Sequence, residues 1–267
     1  MKREITVLIA NCGSIAAAPA LVWSLRRFPD LKVRIIGVDL NPENPGRYLV
    51  DKFYEAPPAK LPSFVTFLED VCRNEQVDIV LATSVDGVLL SLKRDIDRFT
   101  TLGTLIPGTS YDKLVIADDK GQMLRHLDDS NLPCAKFRTP SSLEEFDVGL
   151  KELGYPREKV IVKPRTSSGN RGFRILDDEC SFTYDDITKK LGTANSISAR
   201  RYRQAIKTTQ AFPEIVMMEY LPGQDYSVYC LADKGNANVV IPVKRLKPGE
   251  GVSYISEVDM DLSLIHI

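Results

Sequence analysis

Val160-Ile161-Val162-Lys163-Pro164-Arg165-Thr166-Ser167-Ser168-Gly169-Asn170-Arg171-Gly172-Phe173-Arg174-Ile175 joins two strand-like runs through a basic loop that contains glycine. Gly169 and Gly172 permit backbone conformations with positive φ, and Ser167 and Ser168 add hydroxyl donors. The loop is therefore able to wrap anionic oxygens with amides and side chains, with Lys163 and Arg171 supplying the charge. It is not a Walker sequence, because Gly172 is followed by Phe173-Arg174 where Lys-Ser or Lys-Thr would stand. A plainer reading remains open beside the anion-binding one: Ser-Ser-Gly-Asn is good hairpin-turn chemistry.

Downstream lies Glu219-Tyr220-Leu221-Pro222-Gly223-Gln224-Asp225-Tyr226-Ser227-Val228, where two apolar runs flank a Leu-Pro-Gly bend. Taken alone it is a strand-turn-strand, with Glu219 exposed at the end of one strand and Asp225 at the start of the return. Upstream, residues 111–129 form a polar, amphipathic helical region that contains Asp118-Asp119-Lys120 and closes at Asn131-Leu132-Pro133. A lysine after two aspartates is by itself a solvated helix surface, so Lys120 takes its weight from the downstream segments. The organisation of the chain changes at Pro107-Gly108, and the domain boundary is placed there.

Before that boundary, β-like and helix-like runs alternate. Residues 5–10 are apolar and rich in β-branched residues, which suits a parallel strand buried on both faces, and Asn11-Cys12-Gly13-Ser14 supplies a turn. A helix is expected over 15–28, a strand over 33–38, a helix over 64–72, a strand over 77–82, a helix over 88–99 and a short strand near 102–106. Such alternation implies a doubly wound parallel sheet. Asp39 ends the second strand, where a dinucleotide fold places its ribose-binding acid. The glycine fingerprint is missing, however, since Gly13 stands alone, and a structural βαβ unit is the better reading. Thr83-Ser84-Val85-Asp86 ends a further strand and reads either as a substrate contact or as a helix cap by Ser84 or Asp86.

Composition narrows the classes. The 267 residues carry 35 Lys+Arg against 36 Asp+Glu, a formal net charge of -1, which gives no bulk drive toward nucleic acid or acidic membrane. Five scattered cysteines never fall into the close pairs of zinc or redox motifs and read as reduced thiols of a cytoplasmic protein. No targeting or membrane segment is visible. His126 lies in a helical pattern beside Leu124 and Leu127 and reads as a surface residue.

Taken together, the segments around Lys120, Lys163 and Glu219 resemble the ATP-grasp superfamily, in particular the branch of carbamoyl-phosphate synthase large chains and carboxylate-amine ligases. The resemblance covers most of the chain and rests on the order and spacing of three separate motifs. It implies an α/β preATP-grasp domain with a Rossmann-like parallel sheet over 1–108, followed by an α+β ATP-grasp domain over 109–267. Within the latter, a small subdomain spans about 109–218 and a large one begins at about 219. By the same resemblance, Lys120 and Lys163 contact phosphates, and Ser167, Ser168, Gly169, Arg171 and Gly172 form a mobile loop that closes over them. The backbone at Glu219, Tyr220 and Leu221 meets adenine, Asp225 holds the ribose hydroxyls, and Arg245, in Lys244-Arg245-Leu246-Lys247, lies near the γ-phosphate as a catalytic residue.

The implied chemistry is an ATP-dependent ligase reaction in which a carboxylate is activated as an acyl phosphate for attack by an amine or similar nucleophile. Its cofactors are ATP and magnesium, and its partners are ATP and a small-molecule carboxylate, with no nucleic acid or membrane; a homodimer is compatible with it. The family's magnesium ligands follow this point of the fold, and none is assigned here. Glu257, Asp259 and Asp261 look like a variable substrate-side segment or a solvated strand edge. The apolar end, Leu262-Ser263-Leu264-Ile265-His266-Ile267, leads us to expect a truncated, incomplete ATP-grasp domain. The alternative is a non-catalytic nucleotide-binding or regulatory module. No function is read from the polar region 177–211, where a helix is expected around 199–207.

Overall fold

The computed structural model describes residues 3–14, 17–82, 85–167, 169–179, 195–248 and 253–259. The chain divides into two compact units, Met1–Val115 and Ile116–Ile267.

In the first unit, β1 (Arg3–Ala10), β2 (Leu31–Asp39), β3 (Lys52–Glu55) and β4 (Ile79–Ala82) form a parallel sheet in the order β3-β2-β1-β4. Alternation along the strands sends Leu8, Ala10, Ile36 and Val38 to one face, where they pack with Phe64 and Leu68 of α2 (Ser63–Glu75), Leu92 of α3 (Leu90–Arg94) and Phe99 of α4 (Ile96–Thr100). Ile9 and Ile35 face the other way, onto Ala18 and Val22 of α1 (Ala18–Arg26). Both faces are thus covered, which is why the strands read as nearly unbroken apolar runs.

Three local expectations change. The helix expected over 88–99 is a π turn, Val85–Leu89, followed by α3 and α4, with the break at Asp95 (φ -108, ψ 31). The strand near 102–106 reduces to one parallel bridge between Leu105 and Ile79. The edge strand β3, Lys-Phe-Tyr-Glu, had no sequence signal, because its charged ends are exposed and only its middle is half-buried.

In the second unit, β5 (Phe137–Arg138), β6 (Val160–Pro164), β7 (Arg174–Leu176), β8 (Ser196–Ile197) and β9 (Ile215–Glu219) form one sheet in the order β5-β9-β6-β7-β8. Val160, Val162, Ile215 and Met217 turn to α7 (Leu143–Glu152) and α8 (Ala199–Ile206), meeting Phe146, Leu150, Ala199 and Ile206. A separate antiparallel sheet holds β10 (Tyr226–Asp233), β11 (Asn236–Pro248) and β12 (Ser253–Val258). Lys234 and Gly235, both at positive φ, make the tight turn between β10 and β11. Residues 111–129 are two helices, α5 (Tyr111–Asp118) and α6 (Lys120–Asp129), because Asp119 leaves helical geometry (φ -92, ψ 105) to cap the second. Among the described residues no helix is long and apolar enough to cross a membrane.

One buried carboxylate ties the edge of the first sheet to its helix layer. Glu75, at the end of α2, accepts from Lys52 Nζ at 2.6 Å, from the Tyr54 hydroxyl and from the Arg34 guanidinium. These donors hold its carboxyl at about 2 against the opposing effect of burial. Glu75→Gln keeps the shape and removes the charge while the cations stay half-exposed, so it should lower stability by roughly 1–3 kcal/mol. The expected readout is a lower urea midpoint at unchanged slope; an unchanged midpoint would show that the network contributes nothing net.

Candidate phosphate-binding site

Strand alternation sets Lys163. Val160 and Val162 fill the core beneath β6, so Ile161 and Lys163 stand on the face away from α7 and α8. Lys163 is half-buried, with Nζ 5.5 Å from the centre of the Phe173 ring. Burial pushes its pKa down, the positive charge of Lys120 pushes it further in the same direction, and Asp225 opposes both. The site therefore places two cations and one carboxylate, from three separate elements, within electrostatic reach of one another.

β6 and β7 pair antiparallel, so the hairpin reading of 160–176 is correct as to the strands. Their connection is more than a tight turn. Gly169, Asn170 and Gly172 all adopt positive φ, at 64°, 58° and 78°, and the Phe173 amide donates to the Asn170 carbonyl at 3.1 Å. Gly172 has no room for a side chain, since a Cβ there would lie 2.6 Å from Pro164 Cγ. The Ser167 hydroxyl donates to the Arg171 carbonyl at 3.1 Å, and Gly169, Arg171 and Gly172 are exposed. Ser168 lies outside the described residues.

Lys120 joins this loop through its helix end. Its backbone N–H donates to the Arg165 carbonyl at 3.0 Å, and its Nζ donates to the carbonyls of Ser167 at 2.6 Å and Arg165 at 3.3 Å. Asp119 completes the clasp. It accepts the Gly121 and Gln122 amides at 2.9 and 3.1 Å, and it takes the Arg165 guanidinium in a two-pronged ion pair, with Nε to Oδ1 at 3.0 Å. Burial pushes the Asp119 carboxyl up, but Arg165 and Gln122 together hold it at about 2. The sequence reading singled out Lys120 and missed both Asp119 and Arg165. An Asp at a helix start followed by a lysine was the available signal.

The Glu219–Asp225 segment departs from the strand-turn-strand reading. β9 and β10 do not pair but belong to different sheets, so Leu221-Pro222-Gly223 bridges two sheets. Glu219 is half-buried, in contrast to the exposed position expected, because Oε1 accepts the Lys136 amide at 2.7 Å and fixes the β5 edge. Tyr220 and Leu221 are exposed, and the Tyr220 N–H donates to the Lys159 carbonyl at 3.3 Å. Asp225 is exposed; its carbonyl accepts the Arg245 N–H at 2.9 Å, while Gln224 Nε2 donates to the Arg245 carbonyl at 2.7 Å. Arg245 is thereby tied by its backbone, within β11, to the start of β10. The Tyr226 hydroxyl donates to Asp259 Oδ2 at 3.0 Å, and Asp261 lies outside the described residues. Among the described residues no group of three or more His, Cys, Asp or Glu stands close enough to hold a metal ion.

Comparison with known proteins gives this geometry a class. Residues 7–106 match the PylC-like N-terminal domain. The chain is 29% identical over 154 residues to the multifunctional protein pyr-3 of Neurospora crassa, a match covering 57% of this chain and 8% of that protein. It is 25% identical over 146 residues to the carbamoyl phosphate synthase large chain of Clostridium acetobutylicum, covering 55% of this chain and 12% of that one. Its fold matches N5-carboxyaminoimidazole synthetase from Staphylococcus aureus complexed with ADP, with TM-score 0.67 and 17% identity over 99% of this chain and 61% of that one. The biotin carboxylase domain of Hydrogenobacter thermophilus 2-oxoglutarate carboxylase matches with TM-score 0.61 and 17% identity, over 94% of this chain and 52% of that one. The fold is a preATP-grasp sheet followed by an ATP-grasp domain. In sequence the chain is similar to carbamoyl-phosphate synthase large chains, its first unit matches the PylC-like N-terminal domain, and it spans about an eighth or less of these two curated relatives.

Asp119→Asn separates the two roles of Asp119, since Asn still caps a helix but cannot hold the ion pair. Asp119 has a folded pKa lowered from 3.8 to about 2, so its contribution is present above the unfolded value and lost as pH falls through the folded one. Wild type should exceed the variant by about 2 kcal/mol near neutral pH, with the gap closing between about pH 4 and pH 2. A gap constant across that window, in thermal melts at stepped pH, would show that the pair contributes nothing.

Proposed function

We propose that this chain forms the nucleotide-binding part of an ATP-dependent ligase, one that activates a small carboxylate as an acyl phosphate for attack by an amine or similar nucleophile. The observation that carries the reading is the meeting of Lys120 and Lys163 beside a loop held open by positive-φ residues. Lys163, whose proton affinity is lowered by burial and by the charge of Lys120, stands beside a second ammonium group, and the phosphates of a nucleotide suit both.

In this reading the chain's residues have separate tasks. Lys163 neutralises phosphate charge from the sheet floor. Lys120 does so from the start of α6, exchanging the Ser167 carbonyl for a phosphate oxygen. The loop carrying Ser167, Ser168, Gly169, Arg171 and Gly172 closes over the phosphates and excludes water. The backbone at Glu219, Tyr220 and Leu221 borders adenine, Asp225 takes the ribose hydroxyls, and Arg245 lies toward the γ-phosphate. Charge stabilisation and positioning then do most of the work of transfer. Magnesium supplies charge neutralisation in phosphoryl transfer generally, but the described residues offer it no ligand cluster, and no step is assigned to it.

The reading extends to a preATP-grasp domain over 1–108, an ATP-grasp domain over 109–267, a cytoplasmic setting and a homodimer. It draws support from the neighbours: the Hydrogenobacter domain is a dimer in complex with MgADP, ADP and bicarbonate. Calorimetry of the chain with magnesium and ATP should show one nucleotide bound. Lys163→Ala should weaken it by roughly 10- to 100-fold with the fold intact. Because the Lys163 pKa is lowered, wild-type affinity should also begin to fall at a pH below that at which an ordinary lysine deprotonates. Unchanged affinity in the folded variant would remove the assignment.

A further inference from the structure

We propose that the loop between β6 and β7 masks the two cations of its own site, with the Phe173 ring on Lys163 and the Ser167 carbonyl on Lys120, so that a nucleotide binds by displacing a self-contact. The inference rests on the ATP reading above. It adds a resting state to that reading and gives a task to Phe173, which has none in it. Lys163 Nζ lies 5.5 Å from the centre of the Phe173 ring. Lys120 Nζ lies 2.6 Å from the Ser167 carbonyl oxygen and 3.3 Å from that of Arg165. One short connection thus engages both ammonium groups, and every acceptor it offers them is uncharged.

The two contacts form together because the loop is tied across itself. The Ser167 hydroxyl donates to the Arg171 carbonyl at 3.1 Å, which joins the outgoing arm to the returning one. The Phe173 amide donates to the Asn170 carbonyl at 3.1 Å, and Gly172 lies so close to Pro164 that a Cβ would come within 2.6 Å of its Cγ. Pro164 directly follows Lys163, so this packing holds the returning arm at the end of β6. Phe173, half-buried, is then fixed beside the lysine by the register of β7, in which Arg174 stands opposite Val162.

Charge decides which partner prevails. A carbonyl or an aromatic face offers an ammonium group a partial negative charge, whereas a phosphate oxygen offers a full one in a charge-assisted hydrogen bond. The masked form therefore yields to phosphate, and the ligand spends part of its binding energy on opening it. Loss of the ring removes part of that cost. At the strength usual for a cation–π contact, affinity rises by roughly 2- to 10-fold.

The test uses the full chain. Phe173→Leu and Phe173→Met keep apolar bulk and remove the aromatic face; in calorimetry with magnesium and ATP, each folded variant should bind roughly 2- to 10-fold more tightly than wild type. Wild type with isotope-labelled lysine gives a readout that needs no variant. The Lys163 ε-methylene protons should resonate upfield of ordinary lysines in the free protein, through the Phe173 ring current, and should return when ATP binds. A folded variant that binds ATP no more tightly than wild type would overturn the masking while the ATP reading stands. Lys163 signals that keep their upfield position in the ATP-bound protein would do the same. ATP binding by neither wild type nor variants would remove the ATP reading and the masking with it.

Discussion

Two ammonium groups cannot share a cleft unless something else fixes the backbone that carries them, and in this chain that is the ion pair between Asp119 and Arg165. Asp119 lies at the start of α6 and Arg165 just after β6. Their bond makes the helix that bears Lys120 and the strand that bears Lys163 a single body. A buried carboxylate would be costly alone, but here it accepts from backbone amides and a guanidinium at once, which is the condition under which a buried ion pair holds. Repulsion between the lysines is therefore borne by a rigid frame, and the charge stays in place for a ligand.

The same frame sets what is free to move. Arg165 and Ser167 are held at the loop stem by Lys120, while Gly169, Asn170 and Gly172 beyond it adopt positive-φ backbone and Gly169 has open space around it. The Lys120 ammonium is engaged with carbonyl oxygens that a phosphate can replace without changing the type of interaction. The exchange swaps a neutral acceptor for a charged one, which favours the ligand.

The sequence was most legible where one physical requirement dominates. Strands β1 and β2 are buried on both faces and showed as apolar, β-branched runs; the glycine loop showed because positive φ has few residue solutions. It was illegible where partners decide. β3 is a charged edge strand defined only by its register with β2. The strands on either side of Leu221-Pro222-Gly223 look like a hairpin, and nothing local states that they join different sheets. Asp119 and Arg165 stand 46 positions apart, and a carboxylate that will be buried reads the same as its solvated neighbour Asp118.

Asp39 and Asp119 make the contrast sharper. Both are buried carboxylates accepting backbone amides at the turn that follows or precedes a regular element, yet only Asp119 has a guanidinium to balance it. In the second unit Arg165 engages Asp119, and Asp225 is the carboxylate set against the two lysines, so the site carries a net positive charge. In the first unit the Asp39 carboxylate accepts the Gly13 and Asn41 amides at the end of β2. Two turns of similar construction thus differ in how their carboxylate is balanced, and the difference lies in one arginine.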